Sequence, residues 1–387
     1  MTLSLAGARG GVMNFRPFAI SLLLNAMAAL LAAGPLRAAP QPAVLKAQEE
    51  ARAKGYIFVA SHEEIVSRAK KEGKLRVLTG LESDNIKPMA EGFRKKYPFL
   101  DFHIEEIAGT ESYQRFVLEL KAGRKTGWDS TFIAIDFYND YVPFIKKFDL
   151  LGMAGHGILG IQPQMIDPFN RNIMSPTSIV QSVAFNRKLL EPEKVPDRWT
   201  DFLKPEFKGK KFLADFRPYA IAALVPAWGL EKTLDFARKL AAQQPVWVRG
   251  ATRPMTSIIA GEHALFFGPN SSSVKRAREK DPTRSLGLKI VEPVPVRYVS
   301  RADGVLNTAE HPYAALLWLE FQASPEGQKI IDEFAPYQAS VFTRGSATEQ
   351  EIRGKQLSAV DWHHFTKMQD YQAKITEALG FPKAEMK

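Results

Sequence analysis

Apolar positions in the first half of the chain alternate between short continuous runs and segments with helical spacing. An apolar run at 75–78 precedes a segment, 86–97, in which apolar residues recur at every fourth position. The same order returns at 102–122 and again at 131–148. Three strand–helix units in series predict a mainly parallel sheet that is covered by helices.

A second series of the same kind follows a Pro- and Gly-rich stretch at 152–176. Its predicted strands and extended segments lie at 179–185, 211–214, 263–267 and 288–299, and its helices at 230–242, at 312–322 and from 325 onward. A chain of this length exceeds what one hydrophobic core usually serves, so we predict two α/β lobes. The chain is predicted to cross between the lobes near 179–186 and to return near 290–300.

These crossings set the predicted domain boundaries. A signal peptide at 1–38 and a weakly structured lead segment at 39–60 precede a first lobe at 61–181 and 297–345 and a second lobe at 182–296 and 346–387. The C-terminal extension, which starts at residue 347, is predicted to form helices that pack back on the second lobe.

The N-terminal segment has the pattern of a secretory signal peptide. A positively charged start is followed by an apolar run at 18–33 and by small residues up to a plausible cleavage site after Ala38. This run is shorter than the roughly 20 residues that a membrane helix needs. We therefore expect export through a cleaved signal peptide and a mature protein in the periplasm.

Composition excludes several kinds of site. The 387 residues include no cysteine, which rules out disulfides, thiolate catalysis and zinc–thiolate sites. The formal net charge is +10, but Lys and Arg are interspersed with Asp and Glu in most predicted helices, which does not favour a nucleic-acid partner. The local cluster of Lys275, Arg276, Arg278 and Lys280 is likewise predicted to be an exposed helix face.

Four segments stand in an informative order along the chain. They are KEGKLRVLTGLESDNIKPMAEGFRKKYPFL at the start of 71–130, VPDRWTDFLKPEFKGKKFLADFRP at 195–218, IIAGEHALFFG at 258–268 and EHPYAALLWLEFQASPEGQKII at 310–331. Together they resemble type 2 periplasmic solute-binding proteins of ABC importers, in the branch that is usually labelled ferric-iron binding. The resemblance spans about residues 61–344.

The resemblance implies a type 2 periplasmic-binding fold, in which two lobes with mainly parallel, helix-covered sheets are joined by crossover strands. The lobes of such a protein close over one ligand by a hinge motion. The resemblance further implies a monomer that captures a small-molecule solute and delivers it to an ABC permease and its ATPase in the inner membrane. It implies no catalysis and no cofactor.

Ligands of such sheets lie on the loops beyond the carboxyl ends of the strands. In the predicted first lobe and at the crossover, these loops contain Thr79, Gly80, Ser83, Gly109, Thr110, Glu111, Ser112, Tyr138 and Ser182. The free amides at the start of the helix near Ser112 suit an anionic group. A tight turn with a helix cap is the alternative interpretation of these residues, and a core position is the alternative for Tyr138.

The second lobe contributes candidates of a different charge. They are Arg217, Tyr219, Arg253, Asn270 and Ser271. Arg217 is the first candidate, because a guanidinium can hold a carboxylate or phosphate by two parallel hydrogen bonds. For both arginines a surface ion pair is the alternative.

One loop departs from the pattern of the ferric branch. There, a pair of adjacent tyrosines holds iron where this chain has the sequence Gly-Pro-Asn-Ser at 268–271, and the chain contains no Tyr-Tyr pair. Hard cations need several anionic oxygen ligands. We therefore expect no metal site formed by the protein alone, and a small anionic organic solute or a metal chelate as the ligand.

Two other functions stay open at the level of sequence. A ligand-sensing binding protein that docks on a membrane receptor would carry the same loops. A periplasmic hydrolase is less favoured, because no G-x-S-x-G or H-E-x-x-H motif occurs, and GHGILG at 155–160 fits G-x-G-x-x-G without a preceding strand. The chain is therefore expected not to be an enzyme.

Overall fold

The computed structural model describes residues 42–81, 83–334 and 338–381. The predicted signal peptide at 1–38 lies outside these residues. Within the described ranges, none of the helices combines the length and the hydropathy of a membrane span.

Ten strands of the described chain form one sheet. They are β1 Lys74–Thr79, β2 Asp101–Glu106, β3 Ser130–Ile133, β4 Ile173–Asn186, β5 Leu213–Asp215, β6 Val246–Val248, β7 Leu265–Asn270, β8 Leu286–Lys289, β9 Val294–Val305 and β10 Leu357–Val360. The spatial order is β2-β1-β3-β9-β4-β7-β5-β6, with β10 beside β9 and β8 beside β4. Strand β1 runs parallel to β2 and β3, and β5 runs parallel to β6 and β7. The predicted α/β fold with mainly parallel sheets is therefore confirmed.

Strands β4 and β9 lie between these two parallel halves. They pair antiparallel with each other, from Ile173 opposite Gly304 to Val180 opposite Val296. Strand β9 also pairs with β3 on one side, whereas β4 continues into pairing with β7 and β8 on the other. Strand β4 begins earlier than predicted, because its first residues find partners on β9.

Helices cover both halves of the sheet. They are α1 Pro42–Ala53, α2 His62–Glu72, α3 Ser83–Lys96, α4 Thr110–Lys121, α5 Tyr138–Tyr141, α6 Leu150–Gly155, α7 Tyr219–Ala222, α8 Val225–Trp228, α9 Leu230–Ala242, α10 Thr252–Ala260, α11 Ser271–Glu279, α12 Pro312–Ala323, α13 Pro325–Phe334, α14 Ala347–Ile352, α15 Trp362–Phe365 and α16 Met368–Ala378. Shorter 3₁₀ segments lie at Ile135–Phe137, Val142–Phe144, Pro163–Met165, Pro192–Lys194, Trp199–Leu203 and Pro205–Phe207.

Local signals set the ends of α2. The Oγ of Ser61 accepts a hydrogen bond from the backbone N of Glu64 at 3.2 Å, which satisfies one of the free amides of the first turn. Gly73 ends the helix with a φ of 67°, a conformation that glycine adopts without a steric penalty.

Buried aromatic side chains mark a separate core on each half. In the first half, Phe93 packs edge-on against Trp318 and Phe321, which brings α3 and α12 together over the sheet. In the second half, Phe202 packs edge-on against Phe212 and Phe267. Each half therefore has its own hydrophobic core, as a two-lobed protein requires.

The lead segment at 39–60 holds more regular structure than predicted. Val44, Ala47 and Ala51 share one face of α1 and pack against the core of the first half. Most helical stability in proteins comes from such tertiary packing. The segment was predicted to be weakly structured because this small apolar face is its main helical signal.

The C-terminal extension contacts both halves, whereas packing on the second lobe alone was predicted. Trp362 and Phe365 join a cluster with Tyr138 of the first half. Met368 and Ile375 instead join the core of the second half. The extension also supplies β10, which pairs parallel with β9. The apolar residues of α15 and α16 pack against different halves, so packing on the second lobe alone does not bury them all.

Candidate functional site

One cavity among the described residues lies between the two halves, where β5 and β7 end, and we call it the cleft. Its volume is about 310 Å³, which suits a small molecule. Its lining residues are Ile135, Asp136, Ile179, Gln181, Asp215, Arg217, Pro218, Tyr219, Ala220, Ile221, Gly250, Ala251, Phe266, Phe267, Gly268, Pro269, Asn270, Arg297 and Ser300. They come from both halves and from the strands between them, so a bound solute would contact all three parts.

A second cavity, of about 190 Å³, adjoins the cleft, and we call it the side cavity. The two share Ile135, Asp136, Tyr219 and Arg297. The other lining residues of the side cavity are Tyr138, Asn139, Asp140, Val299, Val360, Phe365, Thr366, Met368, Gln369 and Gln372. The C-terminal extension therefore supplies a wall beside the cleft.

Arg297 lies on β9 and lines both cavities. Its Nε is buried and has no hydrogen-bond partner within the described part of the chain. Its guanidinium carbon lies 5.6 Å from the centre of the Tyr219 ring. Burial lowers the pKa of Arg297, because desolvation disfavours the charged form. The guanidinium of Arg297 therefore lies at the cleft, and its Nε can still donate a hydrogen bond.

Arg217 lines the cleft as predicted for a ligand residue, but it already has a partner. Its Nη2 and Nε donate to the carboxylate of Asp215 at 2.7 and 3.2 Å. This contact raises the pKa of Arg217, since the carboxylate favours the charged form. The pair neutralises both charges on one side of the cleft.

Tyr219 stands between the two arginines. The guanidinium carbon of Arg217 lies 5.8 Å from its ring centre, close to the 5.6 Å of Arg297. Burial raises the pKa of Tyr219, and the two arginines oppose that shift. The ring is therefore a neutral surface that orients both cations toward the cleft.

The loop that ends β7 is held against β4. Gln181 donates from Nε2 to the Oδ1 of Asn270 at 3.0 Å, and the Oγ of Ser182 donates to the carbonyl oxygen of Pro269 at 3.1 Å. Ser182 is fully buried and does not line the cleft, whereas Asn270 does. Ser182 thus positions the loop that carries Asn270.

A third cavity, of about 140 Å³, continues from the cleft past Ile179 and Ser300. Its lining includes Gly80, and a Cβ at this position would lie 2.6 Å from the Phe132 ring. Glycine therefore lets the chain pass close to that ring. Asp303 is buried nearby beside Arg301, with 3.6 Å between its Oδ2 and the Nε of Arg301. Burial raises the pKa of Asp303 to about 6.

The remaining predicted site residues do not line these three cavities. Ser83, Gly109, Thr110, Glu111 and Arg253 are exposed, Ser112 is partly exposed, and Thr79 and Ser271 are buried. The Oγ1 of Thr79 accepts from the backbone N of Leu81 at 3.1 Å, and the Oγ of Ser271 donates to Glu351 at 3.2 Å. Tyr138 lines the side cavity and also belongs to the core, with its hydroxyl bonded to Asp167.

Arg297 and Asp136 were not among the predicted site residues. A weak signal for Arg297 exists, since it interrupts the apolar stretch VPVRYV at 294–299. A cation in such a strand needs a specific environment, because burying it without a partner is costly. Within the described ranges, no group of three or more His, Asp or Glu side chains is placed to hold a metal ion.

Comparison with known proteins identifies the family of the chain. A family model described as bacterial extracellular solute-binding protein matches residues 167–367. No curated protein sequence matches the chain.

Solved structures share the fold at low sequence identity. A Trichodesmium protein in complex with iron and citrate is 16% identical, with 80% of this chain and 100% of that chain covered and a TM-score of 0.62. A Bordetella ferric binding protein is 14% identical, with 79% and 98% covered and a TM-score of 0.62. The substrate binding protein of an ABC transporter from Agrobacterium tumefaciens is 19% identical, with 80% and 96% covered and a TM-score of 0.57.

These matches confirm the two-lobed fold and the resemblance on which the expectations rest. The family model covers more than half of the chain, including both strands between the halves. The chain belongs to the family of bacterial extracellular solute-binding proteins.

Proposed function

We propose that this protein is the periplasmic solute-binding component of an ABC importer and that its solute carries an anionic group that binds Arg297. The family match supports solute capture, and the fold shared with binding proteins such as that of the Agrobacterium ABC transporter supports the importer. The observation that carries the anionic group is the buried Nε of Arg297 without a partner.

Arg297 is partly buried, and a buried N–H donor without a hydrogen-bond partner is unfavourable unless a ligand accepts from it. Asp215, a carboxylate of the cleft, is bonded to Arg217, and Asp136 opposes the fall of the Arg297 pKa without forming a salt bridge to Arg297. A carboxylate, phosphonate or sulfonate group of the solute would accept two parallel hydrogen bonds from the guanidinium of Arg297. The solute then supplies the hydrogen-bond acceptor that the Nε of Arg297 lacks among the described residues.

Residues of both halves line the cleft, which couples binding to closure. Asp136 follows β3 in the first half, and Tyr219 follows β5 in the second. A solute that contacts both favours the closed arrangement over any more open one. A permease that recognises the closed protein would then receive only loaded protein.

The experiment is a ligand screen of the protein purified from the periplasm and stripped of bound ligand. Thermal melts would be recorded with small carboxylates, phosphonates, sulfonates, amino acids, ferric citrate and free ferric iron. At a hundredfold excess over Kd a true ligand adds about 2.7 kcal/mol of stability, which raises the melting midpoint by several degrees.

The Arg297→Gln variant tests the anchor. We expect it to weaken binding of the solute found in the screen by more than thirtyfold, because a desolvated, hydrogen-bonded charge pair is lost. Arg253→Gln is the matched control, since Arg253 is exposed and lines none of the three cavities. Equal affinity of the Arg297→Gln variant and the wild type would show that Arg297 does not bind the solute. Stabilisation by free ferric iron alone would contradict an anionic solute.

A further inference from the structure

We infer that the solute is a zwitterion, whose anionic group binds Arg297 and whose cationic group binds Asp136. This inference rests on the proposed function and narrows its solute class. It follows from the charges at the junction of the cleft and the side cavity.

Asp136 and Arg297 face the same space from different parts of the fold. Asp136 lies in the 3₁₀ segment Ile135–Phe137 after β3, and Arg297 lies on β9. Both line the cleft and the side cavity. No salt bridge joins them, although each influences the electrostatic surroundings of Tyr219. Asp136 opposes the fall of the Arg297 pKa, so the two charges interact across the shared space without forming an ion pair.

The other charged side chains around these cavities are already paired. Arg217 is bonded to Asp215 within the cleft. Asp140, which lines the side cavity, forms a salt bridge with Lys121 at 2.7 Å. The carboxylate of Asp136 forms no such bridge with any described residue. Asp136, which is exposed, and Arg297 are therefore the one acid and one base of this lining without a salt bridge to a described residue, and both are open to a solute.

The remaining polar lining is uncharged. In the cleft it consists of Gln181, Asn270 and Ser300, and in the side cavity of Asn139, Thr366, Gln369 and Gln372. Such groups accept a solute of either charge and do not decide between charge types. The side chains of Asp136 and Arg297 therefore distinguish between solutes of different charge.

A simple anion would satisfy Arg297 but would meet the like charge of Asp136, and a dianion would meet it more strongly. Repulsion between such an anion and Asp136 lowers the affinity for the anion, as the loss of a favourable contact would. A solute with an ammonium group and an acidic group pairs with both side chains at once. Amino acids, aminosulfonates and aminophosphonates have this chemistry.

The test uses pairs of compounds that differ only in the amino group. They are glycine and acetate, β-alanine and propanoate, 4-aminobutanoate and butanoate, taurine and ethanesulfonate, and 2-aminoethylphosphonate and ethylphosphonate. We expect at least one zwitterion to bind at least tenfold more tightly than its partner without the amino group, as measured by titration calorimetry on the ligand-free protein.

Three variants test whether the selectivity for the zwitterion comes from Asp136. Asp136→Asn is expected to weaken binding of that zwitterion at least tenfold and to leave its partner unchanged or more tightly bound. Asp235→Asn is the control, because Asp235 is exposed and pairs with Lys239 on α9, away from both cavities. Arg297→Gln is expected to weaken both members of the pair.

The outcomes separate this inference from the proposed function. If the compounds without the amino group or ferric citrate bind and no zwitterion binds more tightly, the zwitterion inference is wrong and the anionic anchor stands. The inference is also wrong if Asp136→Asn leaves the preference for the zwitterion unchanged. If no compound of either series binds and ferric citrate does not, both the inference and the proposed function are overturned.

Discussion

The guanidinium of Arg297 lies over the ring of Tyr219, with 5.6 Å between the guanidinium carbon and the ring centre. Arg297 belongs to a strand between the two halves, whereas Tyr219 begins α7 in the second half. The contact therefore ties the candidate anchor of the solute to a loop at the end of β5. Because one face of the guanidinium meets the ring, its edge is available for an acidic group.

Replacing Tyr219 tests this arrangement. Tyr219→Leu removes the cation–π contact and is expected to weaken binding of the solute from the screen about three- to thirtyfold, which corresponds to about 0.5–2 kcal/mol. Tyr219→Phe keeps the ring and should bind within about twofold of the wild type. Calorimetric titration of both variants distinguishes the two effects. A large loss in Tyr219→Phe would instead assign the contribution to the hydroxyl group.

Gly268 sets the distance between β7 and α7. Its φ is 76°, and a Cβ there would lie 2.5 Å from the Cβ of Ala220. Gly268→Ala should therefore both strain the backbone and displace the start of α7, next to Tyr219. We expect a loss of about 1–3 kcal/mol in the free energy of unfolding together with weaker solute binding.

Gly73→Ala is the control for backbone strain alone. Its φ is 67°, and no atom lies within 4 Å of the position of an added Cβ. This variant should lose stability without losing affinity, as shown by urea denaturation and titration of the same samples. Wild-type affinity in Gly268→Ala would show that the α7 loop does not position the site.

Asp303 makes stability depend on pH. Burial raises its pKa to about 6, so the folded protein holds the proton more tightly than the unfolded chain does. The free energy of unfolding of the wild type should therefore fall as pH rises from about 4 to about 6. Relative to the wild type, Asp303→Asn should gain about 2 kcal/mol between these values, since asparagine does not titrate.

Urea denaturation of both proteins at pH 4, 5, 6 and 7 measures this change. The comparison uses the difference between the two proteins, so other titrating groups cancel. A difference that stays constant over this range would show that Asp303 keeps an ordinary pKa in the folded state.

A buried ion pair joins the C-terminal extension to α11. Lys275 of α11 contacts Glu351 of α14, and both side chains are almost fully buried. Burial lowers the pKa of Lys275, and Glu351 opposes the shift. Glu351→Gln should cost on the order of 3 kcal/mol or less in the free energy of unfolding, because the buried cation loses its contact with Glu351 while Asp332 still acts on it.

The double variant Lys275→Met, Glu351→Leu should recover part of that loss, since both charges of the Lys275–Glu351 pair are removed. Asp235→Asn breaks an exposed pair with Lys239 and should leave the melting temperature unchanged. A Glu351→Gln variant as stable as the wild type would mean that the pair does not hold the extension in place.

Much of the fold could be predicted because its signals are local. The capping of α2 by Ser61 and the helix at 230–242 follow from residues a few positions apart. The strand β10 was not predicted, since it depends on its pairing with β9. Lys275 was expected on an exposed face but is buried, because α14 covers that side of α11.

The sequence by itself determined the two-part α/β architecture and the family, because hydrophobic periodicity and the order of the motifs are properties of neighbouring residues. Which of the 52 Lys and Arg residues faces the cleft was decided only by the tertiary structure. Arg217 follows a strand as predicted, yet Asp215 neutralises it. Arg297 reaches the cleft because the pairing of β9 with β4 and β10 places it beside Tyr219 and opposite Asp136. These contacts join residues that are far apart in the chain, so no local sequence pattern predicts them.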